Sequence, residues 1–73
     1  MQMFRVPSGI HGEVRMANRP EHWIPYTTKM QSDFDEPVSR TRTTVVFRSG
    51  RWLLRVKRHD VQLYNGIRWI RMK

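Results

Sequence analysis

The sequence predicts a small α+β or mainly β domain whose second half is a four-stranded antiparallel meander, from about residue 43 to 72. Three observations carry this expectation. All four prolines (Pro7, Pro20, Pro25, Pro37) lie in the first half, where they interrupt any long regular element. After Ser39, short runs rich in β-branched and aromatic residues alternate with the turn dipeptides Ser49-Gly50, His59-Asp60 and Asn65-Gly66. Asn-Gly between two such runs is the strongest short-range hairpin signal.

In chain order, Met3–Val6 is expected to be an edge strand. Gly12–Arg19 reads as one or two helical turns on the spacing of Val14, Met16 and Ala17, stopped by Pro20. Pro20–Ile24 suits a second short helix, with Pro20 at the first helical position. Residues 1–39 are otherwise expected to be irregular, a Pro-rich arm followed by an acidic loop, and residues 40–73 to be the basic meander of the same single domain. Its strands are Thr43–Arg48, Arg51–Arg58, Val61–Tyr64 and Ile67–Met72, joined by two-residue loops.

Two-residue loops set the register. They place Phe47 opposite Trp52, Val45 opposite Leu54, Val56 opposite Leu63, and Val61 opposite Ile70. One face then carries Val45, Phe47, Trp52, Leu54, Val56, Val61, Leu63, Ile70 and Met72, with Arg58 and Arg68 at its margins. This is the expected core, and Trp52 is expected to be central to it. The opposite face carries Val46, Arg48, Arg51, Leu53, Arg55, Lys57, Gln62, Tyr64, Ile67, Trp69, Arg71 and Lys73. Bases interleaved with Tyr64 and Trp69 suit phosphates and stacked bases, or an acidic peptide or helix. Alternatively, the N-terminal segment covers Leu53, Ile67 and Trp69 as a second, smaller core.

Charge is the strongest compositional fact. Fourteen Lys and Arg against six Asp and Glu give +8 over 73 residues, and eleven of the cations are arginines, the better fit to phosphate and carboxylate. The first 39 residues are close to neutral, whereas residues 40–73 hold ten bases and only Asp60. Such clustering suits a polyanion or an acidic protein surface. The chain has no cysteine, which excludes disulfides and thiolate zinc sites. No apolar run approaches the ~20 residues of a membrane-spanning helix, and a cytoplasmic protein without a membrane role is expected.

Little in the sequence points to catalysis. His11, His22 and His59 lack the i, i+4 spacing of a metal motif. His59-Asp60 is better explained as a turn, in which Asp60 bonds local backbone. Asp33, Asp35 and Glu36 form the only carboxylate cluster, expected to be an exposed loop that balances or masks the basic sheet rather than a metal site. The four glycines are too dispersed for a phosphate loop. No cofactor, metal or catalytic residue is expected. The expected partner-binding residues are Arg48, Arg51, Arg55, Lys57, Tyr64, Trp69 and Arg71, on a monomer.

The cysteine-free format, the arm from Met1 to Pro25, and the closing run Val61-Gln62-Leu63-Tyr64-Asn65-Gly66-Ile67-Arg68-Trp69-Ile70 resemble small lytic-phage proteins that bind host bacterial RNA polymerase. The resemblance implies a non-enzymatic regulator that blocks initiation or suppresses termination by occupancy, in the host cytoplasm. It is one of format, and no binding residue is carried over by motif. Two other readings stand beside it. One is direct DNA or RNA binding through Arg48, Arg51, Arg55, Lys57 and Trp69. The other is a small RNA-cleaving toxin with His59 or His22 as acid or base.

Overall fold

Short antiparallel strands in two sheets build the protein in a computed structural model, which describes residues 3–72. The strands are β1 (Phe4–Val6), β2 (His11–Met16), β3 (Ile24–Thr27), β4 (Ser32–Phe34), β5 (Ser39–Arg40), β6 (Thr44–Ser49), β7 (Trp52–Lys57), β8 (Gln62–Tyr64) and β9 (Trp69–Arg71). One sheet runs β4-β1-β8-β9 and the other β3-β2-β7-β6-β5. The protein is mainly β, one of the two classes its sequence predicts, and the described residues hold no α-helix.

The meander is interrupted. β6 and β7 pair as a hairpin, and so do β8 and β9, but β7 does not pair with β8. At His59-Asp60 the chain forms a 3-10 turn, Arg58–Asp60, and crosses to the other sheet. The physical reason lies in the N-terminal half. β2 occupies the free edge of β7, and β1 occupies the free edge of β8, so neither edge is open to the other strand.

Both hairpins also slip by two residues from the expected register. Phe47 faces Leu54 and Val45 faces Val56, with Gly50-Arg51 as the loop. Gly50 takes φ +60° at the first loop position, where such a hairpin turn needs glycine. In the second hairpin Leu63 faces Ile70, which leaves Asn65–Arg68 as a four-residue loop. Asn65 Oδ1 accepts bonds from the Ile67 and Arg68 amides, both 2.9 Å, a side-chain turn that replaces the tight two-residue one. Because side chains repeat every two residues, a two-residue slip preserves the faces. Val45, Phe47, Leu54 and Val56 remain inside. Trp52, however, moves to the sheet's end and is 46% exposed, so it is not the central core ring.

The N-terminal half is not an irregular arm. β1 is an interior strand between β4 and β8, not an edge, and both Phe4 and Val6 are buried. The segment expected to be helical, Gly12–Arg19, is mostly strand β2, with His11, Glu13 and Arg15 alternating with Gly12, Val14 and Met16. That period of two outweighs the weaker helical spacing once β7 is available as a partner. Pro20–Ile24 forms no helix; it leads into edge strand β3.

The inner faces of both sheets meet in one cluster of Phe4, Val6, Val45, Phe47, Leu54, Val56, Val61 and Met72. Phe47 is its centre, stacked on Phe34 at 4.5 Å and tilted against Phe4 at 5.8 Å. Leu63 packs against the cluster only partly buried, and Ile70 is exposed, so both lie at its rim. β2 approaches β7 so closely that a Cβ on Gly12 would lie 2.6 Å from the Arg55 carbonyl oxygen. Buried Thr28 ties the β1–β2 turn: its hydroxyl donates to Pro7 O at 2.7 Å and accepts from the Ile10 amide at 2.8 Å.

Candidate functional site

The strand crossing at His59-Asp60 divides the expected binding face in two. Arg48, Arg55 and Lys57 alternate with the core residues of β6 and β7, so they project from the outer face of the five-stranded sheet. Arg51 sits in the loop between them. Tyr64, Trp69 and Arg71 project from the outer face of the four-stranded sheet. Since both sheets turn their inner faces to one core, these two sets look away from each other. The structure does not bring them together, and no face interleaves these bases with Tyr64 and Trp69. Lys73 lies outside the described residues.

On the four-stranded sheet the aromatic rings are already occupied. Tyr64 tilts against Trp69 at 5.3 Å, and the Arg5 guanidinium lies 4.3 Å over the Trp69 ring. Arg5 is itself held by Nε donating to Gln62 Oε1 at 2.8 Å. Part of the N-terminal half thus covers Trp69, while Ile67 is 85% exposed in its loop. Arg71 stands opposite Gln62 and is exposed.

On the five-stranded sheet, Arg55 is committed within the chain. Its Nη2 lies 2.7 Å and its Nε 2.9 Å from Glu13 Oε1, and its guanidinium lies 4.1 Å over Trp23. Arg15 also lies over Trp23, at 5.0 Å, and its Nη1 donates to the Met16 and Ala17 carbonyls at 3.1 and 3.2 Å. Leu53 sits between Arg15 and Arg48 in the ladders and is buried despite facing outward. The covering expected of the N-terminal segment is therefore present at Leu53 and Trp69 and absent at Ile67.

What remains open on this face is cationic. Arg48, Arg51 and Lys57 are exposed, and none of them is in an ion pair among the described residues. Arg48 and Arg51 share a hollow with Asn18 at the Gly50 end, with Arg48 Nε bonded to Gly50 O at 3.0 Å. Lys57 stands at the opposite end beside Arg42 and Arg58. Neither arginine belongs to the binding set that strand alternation predicts. Arg42 lies in a loop, outside any alternating run, and alternation puts Arg58 at the margin of the core face. The alternation in His11–Met16 was the legible signal for Glu13 and Arg15.

The acidic residues Asp33, Asp35 and Glu36 make no ion pair among the described residues, and Asp33 lies opposite Arg5 in the other sheet. They do not mask the basic face. No group of three His, Cys, Asp or Glu side chains that could hold a metal occurs among the described residues. His59 is largely exposed, with Nε2 3.7 Å from Asp60 Oδ1.

A second surface is apolar. Val14, Tyr26, Thr28, Met30, Phe34 and Trp52 line a cleft of about 470 Å³ at the seam between β3 and β4. Tyr26, Met30, Trp52 and neighbouring Ile24 are exposed there. Comparison with protein families, with curated proteins and with solved structures finds no match. Fold and surface together define the class: a small two-sheet antiparallel β protein with a basic outer face and a separate apolar seam.

Proposed function

We propose that the protein acts by occupancy, as a non-enzymatic binder that grips the phosphate backbone of DNA or RNA with the outer face of its five-stranded sheet. The observation that carries this reading is the exposed set Arg48, Arg51 and Lys57, while Trp23 and Trp69 are engaged by arginines of the chain itself and Tyr64 tilts against Trp69. Cations without free rings favour backbone contacts over base stacking, so binding is salt-dependent and weakly sequence-dependent. Reversing Arg48, Arg51 and Lys57 to Glu tests it. Arg55 is left alone, because a glutamate there would face Glu13. The triple variant should stay folded, lose nucleic-acid binding at low salt, and flatten the salt slope by about one unit per lost phosphate contact. Binding equal to the parent's, or multiple-turnover RNA cleavage abolished by His59→Ala, would overturn the reading.

The second reading is the regulator that docks on bacterial RNA polymerase. The exposed apolar set Ile24, Tyr26, Met30 and Trp52 favours a protein partner, since such patches mark interaction surfaces. A pull-down from bacterial lysate with nuclease and raised salt separates the two. Stoichiometric polymerase that is retained by the parent and lost with Trp52→Ala supports the second, whereas loss of all partners on nuclease treatment supports the first.

A further inference from the structure

At the end of the five-stranded sheet away from Gly50, two loops enclose a cleft of about 440 Å³, lined by Arg42, Thr43, Thr44, Lys57, Arg58 and His59. One loop is the turn from β5 to β6, and the other is the 3-10 turn that carries the chain between sheets. They are tied together by the Arg58 amide, which donates to Thr43 O at 2.8 Å. Thr41 stiffens the first loop. Its amide donates to Thr44 O at 2.8 Å, and its Oγ1 accepts from the Thr43 and Thr44 amides at 3.3 and 3.0 Å. The same Oγ1 lies 2.8 Å from Thr44 Oγ1. A turn closed in this way by a threonine side chain holds Arg42 and Thr43 at its tip without help from a ligand.

The electrostatics of the cleft are one-sided. Three permanent cations line it, and the one carboxylate paired to any lining residue, among those described, is Asp60 beside His59. Arg58 Nε is buried without a hydrogen-bond acceptor.

We infer that this cleft is a binding site for a phosphate group. A phosphate dianion supplies the charge that three cations need and enough acceptor oxygens for several donors, the Arg42 and Arg58 guanidinium groups among them. Arginine forks match its geometry, and Lys57 adds a mobile point charge. The same chemistry is offered by a phosphate monoester and by a nucleic-acid phosphodiester. The site goes beyond the nucleic-acid reading, because free phosphate alone can probe it.

The test is an amide-resolved NMR titration of the full chain with inorganic phosphate, at constant ionic strength maintained with chloride. Saturable shifts should appear at Thr41–Thr44 and Lys57–Asp60. Arg42→Gln and Arg58→Gln should each raise the half-saturating concentration about tenfold, as loss of a charge-assisted contact does. Arg68→Gln, in the distant β8–β9 loop, should leave it unchanged. Arg58 is partly buried, so Arg42→Gln, exposed on its turn, decides the matter if the other variant fails to fold. Adenosine monophosphate and a dinucleotide joined by a phosphodiester serve as further arms, and saturable binding of either upholds the site. Tighter binding of the first identifies a monoester ligand, and tighter binding of the second identifies the backbone. Shifts that grow linearly, that chloride reproduces, or that persist unchanged in both arginine variants overturn the proposal.

Discussion

Phe47 is fully buried with two aromatic partners, whereas Trp52, on the same sheet face, is nearly half exposed. Phe47→Ala should therefore cost about 3–5 kcal/mol in chemical denaturation, and Trp52→Ala only about 1–2, since a half-exposed ring forfeits less buried area. Equal losses would place Trp52 back in the core. Gly12→Ala should destabilise by about 1–3 kcal/mol, because the added methyl meets a backbone carbonyl and Val56 Cγ1, and the carbonyl belongs to a paired strand that cannot yield freely. At an unobstructed strand position the same change would stabilise. Thr28→Val removes the hydroxyl that serves both Pro7 O and the Ile10 amide, and should cost about 1–3 kcal/mol. Thr27→Val, exposed and bonded only to His11, should cost much less.

Strand identity after Ser39 was legible because β-branched and aromatic runs and turn dipeptides agree there. Pairing was less so. Ser49-Gly50 and Asn65-Gly66 do mark hairpins, but the glycine's place in one loop and the Asn65 side chain in the other move each register by two residues. Parity is unaffected, so the core face could be read correctly with the wrong partners assigned. The N-terminal strands were obscured by proline. Pro25 lies within β3, yet β3 is an edge. The Thr28 amide points to Ile10, so alternation turns the Pro25 nitrogen to the unpaired side, where no donor is missed. The proline blunts that edge. Pro25→Val should restore an outward amide beside the apolar seam and promote self-association, measurable by sedimentation as concentration rises.

β1 sits between β4 and β8, and Phe4 pairs with both Phe34 and Leu63, so the two ends of the chain meet in one sheet. Deleting residues 1–8 should therefore abolish cooperative unfolding rather than trim a dispensable arm, because it removes Phe4 and Val6 from the core and uncovers two strand edges. Retention of a sharp thermal transition in the truncated chain would show that β1 is peripheral. Ladders that join such distant residues also place folding in the millisecond-to-second range of small β proteins, which stopped-flow fluorescence of the tryptophans would report. For the basic face, whole-molecule architecture has a direct consequence. Substitutions at Arg48, Arg51 and Lys57 should act together on binding, whereas substitutions at Arg71 should be independent of them, because the two outer surfaces share no partner-facing plane.

The amino-acid sequence by itself determined the β character of the second half, the inward set Val45, Phe47, Leu54 and Val56, and the concentration of arginine after Ser39. These follow from local rules: β propensity, a side-chain period of two, and simple composition. Which edges pair was decided only in the tertiary structure. β2 and β1 take the edges that a meander would have used, and the chain crosses between sheets at Arg58–Asp60. That crossing sends Tyr64 and Trp69 away from Arg48 and Lys57, and draws Arg42 and Arg58 to one cleft. No local signal encodes it, because the choice of edge depends on partners tens of residues away.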